Sequence, residues 1–156
     1  MSKILRAGLR GGVLDLTGMT YLLDTDIIIY HLNGVIAAQS LLLRLREDGI
    51  AMSAISYMEA VEGFARDSNP AHIRRQFDAL AGRIPVLSFS DAEAEQSAYI
   101  RAALRQQGRR VRSRALDLMI AATALQHDMT LVTNNPGDYD DIPGLSVEAA
   151  RIVSDQ

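Results

Sequence analysis

The segment YLLDTDIIIY, residues 21–30, places two carboxylates, Asp24 and Asp26, directly after an apolar run. Further acids stand at Glu59 in SAISYMEAVEG and at Asp117 in RALDLMIAATAL. Two amides, Asn134 and Asn135, leave the stretch TLVT. Groups of this kind cap helices, form the nucleophile pair of a phosphatase, or hold a divalent cation. Each has a local explanation. Asp26 is well placed to cap the helix that follows it. Ser56-Tyr57-Met58-Glu59 reads as a capping box, with Glu59 reaching back to the Ser56 amide. Asp117 opens a stretch that is apolar nearly all round and therefore buried. Its charge is desolvated unless it caps the helix or meets a cation, and Ser113 could serve as the cap instead. Asn135 fits a turn, and Asp140 and Asp141 read as solvated loop charge.

Taken together, the acids point to a metal. Two carboxylates about 5 Å apart repel by roughly 3 kcal/mol at an effective dielectric constant near 20. Three remain ionised together only around a cation. The chain has no cysteine, and its three histidines suggest no paired ligands. Hard oxygen donors select Mg²⁺ or Mn²⁺ over zinc. Of the histidines, His127 reads as a dipole contact at a helix C-terminus.

The elements that must position these groups alternate along the chain. A strand at Tyr21–Asp24 leads into helices over 26–33 and 35–47, the second stopped by Asp48-Gly49. A strand over 50–54 precedes helices at 56–66 and 71–81. A strand at 83–89 is followed by a helix over 91–107 with Gly108 at its end, and by another over 115–127. Strands at 130–133 and 144–147 complete the pattern. Strand–helix alternation with short, apolar, non-alternating strands means a parallel sheet in an α/β fold, covered on both faces. Ligands bind such sheets at the carboxyl ends of the strands, where Asp24 and Asn135 stand.

The 156 residues suffice for one domain, with 48% hydrophobic and 22% charged residues. Residues 1–18 read as an extension or cloning remnant, non-native or disordered, with a single domain over 19–156. No apolar run reaches the roughly 18 residues of a membrane helix. The lack of cysteine fits a reducing compartment, the cytoplasm. Net charge is −3, so a nucleic-acid partner needs local positive charge or a metal.

LLDTDIIIYHLNG, SAISYMEAVEGF and ALDLMIAATALQHDMTLVTNNPGDYDDIPGL occur in the order and spacing of a PIN domain. The chain most resembles the virulence-associated protein C (VapC) toxins of bacterial toxin–antitoxin pairs, over Tyr21 to Val147. The resemblance implies a three-layer α/β/α sandwich with a mainly parallel sheet of about five strands. It implies a Mg²⁺- or Mn²⁺-dependent endoribonuclease, a homodimer, and a small antitoxin that blocks the cleft. The family's acids fall on Asp24, on Glu59 with Gly63 completing E-x-x-x-G, and on Asp117. The fourth position falls on Asn135, with Asp138 as a further place beside the metal. Asp26 stands where the family often shows Asn. Asn at 135 removes a negative charge and puts a second metal in doubt. Tyr139 is expected to pack.

Arg101, Arg105, Arg109, Arg110, Arg112 and Arg114 lead up to Asp117. They are either a solvated surface paired to Glu93 or Glu95, or an RNA-backbone contact. On the second reading Arg109, Arg110, Arg112, Arg114 and Thr133 bind substrate. The alternatives to a nuclease are a haloacid-dehalogenase-like phosphatase using Asp24 and Asp26, or a non-catalytic PIN scaffold. Against the phosphatase, Lys3 is the only lysine and only 21 residues follow Asn135.

Overall fold

The computed structural model describes residues 4–7, 12–15 and 18–153. In chain order its elements are Ile4–Ala7 (β1), Gly12–Asp15 (β2), Tyr21–Leu23 (β3), Thr25–Leu32 (α1), Ile36–Leu45 (α2), Ile50–Ser53 (β4), Ala54–Phe64 (α3), Pro70–Ala81 (α4), Val86–Leu87 (β5), Asp91–Gln106 (α5), Ala115–Gln126 (α6), Thr130–Thr133 (β6) and Val147–Ala149 (β7). The reading of residues 1–18 as an extension falls partly outside the described residues, which in that stretch are 4–7, 12–15 and 18. β1 and β2 pair antiparallel with each other, in a sheet separate from the main one.

The main sheet has five parallel strands in the order β5-β4-β3-β6-β7. Successive side chains of a strand point to opposite faces, and each face has its own core. Leu23, Met52 and Val132 join a cluster with Ile28, Leu41, Phe64 and Phe77, from α1 to α4. Leu22, Ala51 and Leu131 join Ile100, Leu104, Leu118 and Ala121, from α5 and α6. The result is three layers. Phe77 and Leu118 are fully buried, each worth roughly 2 kcal/mol in apolar transfer.

From β3 the chain moves outward through β4 to β5. It then returns to β6, on the other side of β3. The crevice between the carboxyl ends of β3 and β6 is therefore the topological switch point, where open α/β sheets bind ligands. Asp24 follows β3, and Asn134 and Asn135 follow β6.

Two turns explain how the strands enter and α5 ends. Gly49 has φ +84°, and a Cβ there would lie 2.6 Å from the Gly18 carbonyl oxygen. Its own carbonyl accepts from the Thr20 and Tyr21 amides, so the close approach sets the start of β3 beside β4. Gly108, at φ +73°, follows α5. The Gly108 amide bonds the Arg105 carbonyl and the Arg109 amide bonds that of Leu104, both at 2.9 Å. This closes the helix as a Schellman motif and turns the chain into the arginine segment.

The strand expected over 83–89 is confined to Val86–Leu87, because it pairs only with Met52 and Ser53 at a sheet edge. The last strand lies at Val147–Ala149 rather than 144–147. Gly144 takes φ +77° and cannot extend it, and the polar Glu148 within the strand hides it from hydropathy.

Candidate active site

β3 pairing continues through the Asp24 amide, which donates to the Val132 carbonyl at 2.9 Å. The chain then turns directly into α1, and Asp24, not Asp26, is its N-cap: Oδ1 accepts from the Thr25 amide at 2.9 Å. Asp24 Oδ2 accepts from the Thr133 hydroxyl at 2.8 Å and the Tyr139 hydroxyl at 3.0 Å. The residue is 7% exposed. Burial, with the neighbouring Asp26 charge, pushes its carboxyl up to about 7. The hydrogen bonds from Thr133, Thr25 and Tyr139 act in the opposite direction.

Asp117 lies in the first turn of α6, which has no side-chain cap, so neither it nor Ser113 serves as one. Its Oδ1 lies 3.3 Å from the same Tyr139 hydroxyl. Burial and the nearby Asp138 charge raise its pKa. Tyr139 is 1% exposed. Burial, and the Asp24 and Asp117 charges, raise its pKa as well, so it stays a protonated donor between the two acids.

Glu59 is not part of a capping box. α3 begins at Ala54 and its cap is Ser53, whose hydroxyl oxygen accepts from the Ser56 amide at 3.0 Å. That places Glu59 in the second turn of α3, facing α1. Its Oε1 accepts from the Thr25 hydroxyl at 2.7 Å. Burial raises the Glu59 pKa, with smaller contributions from the Asp117 and Glu62 charges. Three acids from three elements thus border the switch point: Asp24 and Asp117 flank the Tyr139 hydroxyl, and Glu59 lies within reach of the Asp117 charge.

Asp26 is part of this constellation too. Its Oδ2 accepts from the Asn134 amide at 3.0 Å and from Asn135 Nδ2 at 3.1 Å. Asn135 is exposed, and its amide donates to the Thr133 hydroxyl oxygen at 3.0 Å. Thr133 is fully buried, so its hydroxyl orients Asp24 rather than facing solvent. Asn134 bonds the backbone of Ile152 in both directions and anchors the chain after β7.

The arginine segment is only partly free. Arg114 forks onto Asp141 at 2.7 and 2.8 Å, and donates to the Asp138 carbonyl at 2.8 Å. Arg109 lies 3.3 Å from Asp141. Asp141 is therefore not solvated loop charge: the Arg114 hydrogen bonds hold its carboxyl below the usual range. Arg110 and Arg112 are exposed and make no ion pair among the described residues. With Arg105 and Arg109 they line a depression of about 470 Å³. Glu93 is no arginine partner. It is buried against His127, with Oε1 2.9 Å from Nε2. His127 thus joins α6 to α5 instead of merely ending its helix.

As they stand, the acids are bridged by hydroxyls. Among the described residues no three His, Asp or Glu side chains are gathered closely enough to hold an ion. The chemistry of the set nonetheless fits a hard divalent cation. Its donors are carboxylate oxygens, and no basic side chain bonds Asp24, Glu59 or Asp117 among the described residues. Burial, with the charges of neighbouring acids, already disfavours their ionised forms, which a cation would restore.

The PIN-domain family pattern matches residues 21–145. The chain belongs to the PIN-domain family. Its similarity lies with the VapC ribonucleases within it. Ribonuclease VapC2 of Rickettsia felis is 30% identical over 132 residues, 83% of this chain and 97% of that one. The tRNA(fMet)-specific endonuclease VapC of Shigella flexneri is 29% identical over 130 residues, with the same coverage. Among solved structures, VapBC2 from Rickettsia felis bound to a DNA fragment from its promoter superposes with a TM-score of 0.76. That match has 28% identity and covers 84% of this chain and 98% of the other. The PIN-domain match sets aside the phosphatase alternative, and Asp26 has the latching contacts described above rather than the helix-capping role. No single helix among the described residues is long and apolar enough to cross a membrane.

Proposed function

We propose that this PIN domain is an endoribonuclease toxin, that it hydrolyses RNA phosphodiester bonds with Mg²⁺ or Mn²⁺, and that a cognate antitoxin neutralises it. The observation that carries this is the placing of Asp24, Glu59 and Asp117 around the switch point, with no basic side chain hydrogen-bonded to any of them among the described residues; Arg114 acts on Asp117 through its charge alone. Asp24, Glu59 and Asp117 would hold the ion, with Asn135 and Asp138 beside it. When bound, the ion would supply positive charge that binds phosphate, makes water more acidic and stabilises the leaving oxygen.

The protein's own groups prepare that site. Tyr139 and Thr133 fix Asp24 Oδ2 with two hydroxyl donors, and Thr25 fixes Glu59 Oε1. Near neutral pH Asp24 in the ion-free site is partly protonated. Cation binding must release that proton, so affinity rises with pH through about 7. Arg110 and Arg112, exposed and without an ion pair among the described residues, would meet the RNA backbone. Arg114 serves to hold the Asp138–Asp141 turn, and Arg109 assists it.

A groove of about 370 Å³, lined by Thr25, Ile29, Glu59, Gly63 and Phe64, adjoins the acids. It would take an apolar segment of the antitoxin, which brings a basic side chain to the carboxylates. Tyr99 and Leu116 are exposed apolar surface on the α5–α6 layer, which a second copy in a homodimer would cover. The test is cleavage of total RNA by purified protein with Mn²⁺ and with chelator, with the new ends mapped. Metal-dependent cutting that Asp117→Ala abolishes supports the reading. Cutting that survives both chelation and Asp117→Ala overturns it.

A further inference from the structure

Asp26 lies in the first turn of α1, yet the helix is already capped by Asp24. Its side chain faces the turn after β6 instead. Oδ1 accepts from the Ile27 amide at 2.7 Å. Oδ2 accepts from the Asn134 amide at 3.0 Å and from Asn135 Nδ2 at 3.1 Å, with the Thr133 hydroxyl at 3.4 Å. All these donors are neutral, and no basic side chain meets the carboxylate among the described residues. The single hydrogen of that Thr133 hydroxyl favours Asp24 Oδ2, at 2.8 Å, over Asp26. Asp26 therefore adjoins the acid constellation through one shared hydroxyl, while Asn135 is its amide donor.

The donors dictate what can stand at position 26. Beside Asn135, an asparagine there has one acceptor oxygen for three N–H donors, and its own NH₂ would face the Asn135 NH₂; with aspartate at 135 only the two backbone amides remain to be accepted. Aspartate at both 26 and 135 would press two carboxylates together across a 3.1 Å contact. Asparagine at 26 with aspartate at 135 would form the same amide–carboxylate bond in the reverse direction. The contact thus admits one acid and one amide, and either position can carry the acid.

We infer that Asp26 and Asn135 form one exchangeable carboxylate–amide pair, in which Asp26 supplies to the metal site the negative charge that Asn135 lacks. Asp26 is then a positioning residue whose charge acts on the site, and not only a latch between α1 and β6. This rests on the metal-dependent reading of the same site.

The test compares the full chain with Asp26→Asn, Asn135→Asp and the double variant. Mn²⁺ affinity is read by calorimetry, melting temperature in chelator, and kcat and KM on an RNA that the wild type cleaves. Asp26→Asn should weaken Mn²⁺ binding about tenfold, a coupling of ordinary size between contacting residues. It should lower kcat more than it raises KM. The double variant should recover Mn²⁺ affinity and kcat to within about threefold of wild type. If Asp26→Asn lowers the melting temperature but binds Mn²⁺ like wild type, Asp26 is only a latch and the inference fails. It fails equally if the double variant is no better than Asp26→Asn. Should Asp26→Asn not fold, the double variant decides: it must fold and bind Mn²⁺, or the pair is not exchangeable. A wild type that neither binds Mn²⁺ nor cuts RNA would overturn the nuclease reading itself, a separate result.

Discussion

Replacing Asp24 with asparagine should stabilise the metal-free protein while abolishing its activity. The Asp24 carboxyl is raised from 3.8 to about 7, first by burial and then by the Asp26 charge. That corresponds to about 4 kcal/mol against the ionised form, an upper figure because the site relaxes. The sign follows from proton uptake. Between about pH 4 and about pH 7 the folded state holds a proton that the unfolded state has lost. Stability from this group is therefore complete below the unfolded value and is lost as pH rises through about 7. Asparagine cannot ionise, and the geometry accepts it: its oxygen can take the Thr25 amide, and its NH₂ can donate to the Thr133 and Tyr139 oxygens once those hydroxyls turn. Urea unfolding in chelator, from about pH 5 to about pH 9, measures the gap between variant and wild type. The gap should reach about 2–4 kcal/mol at the alkaline end and close towards the acid end. A variant no more stable than wild type at alkaline pH, or a gap independent of pH, would refute the electrostatic account of Asp24.

Other consequences are equally specific. Tyr139→Phe keeps the buried ring but removes the hydroxyl between Asp24 and Asp117; stability should fall by about 1 kcal/mol, and kcat should fall with little change in KM. Arg110→Ala and Arg112→Ala should each weaken RNA binding and reduce the salt dependence by about 0.7 in log–log slope per charge, while Arg114→Ala should chiefly lower the melting temperature. Glu93→Ala leaves His127 buried without that partner and should cost about 3 kcal/mol in urea unfolding, with the activity of the folded fraction intact.

The fold is largely legible in the sequence, because short apolar strands separated by helical periodicity leave few topologies. As candidates, Asp24 and Asp117 stand out for a related reason: each puts a carboxylate where a local rule expects apolar burial, whereas Glu59 reads locally as a cap and is grouped with them only by the resemblance to PIN domains. What local rules cannot supply is the partner. Ser56 and Glu59 have capping-box spacing, but the helix starts two residues before Ser56 and Ser53 takes the cap. Asp26 resembles an N-cap until the turn after β6, more than a hundred residues later, is folded against it. Tyr139 reads as packing, since nothing near it in sequence shows that its hydroxyl reaches two acids. Arg114 and Asp141 look like separate surface charges until the loop closes. Each of these depends on contacts between distant parts of the chain, which periodicity does not encode.

The most direct measurement is anomalous scattering from crystals soaked in Mn²⁺ under conditions in which the protein cuts RNA. The account predicts a peak among the carboxylates of Asp24, Glu59 and Asp117. Cleaving protein whose crystals show no manganese at that edge of the sheet would contradict it.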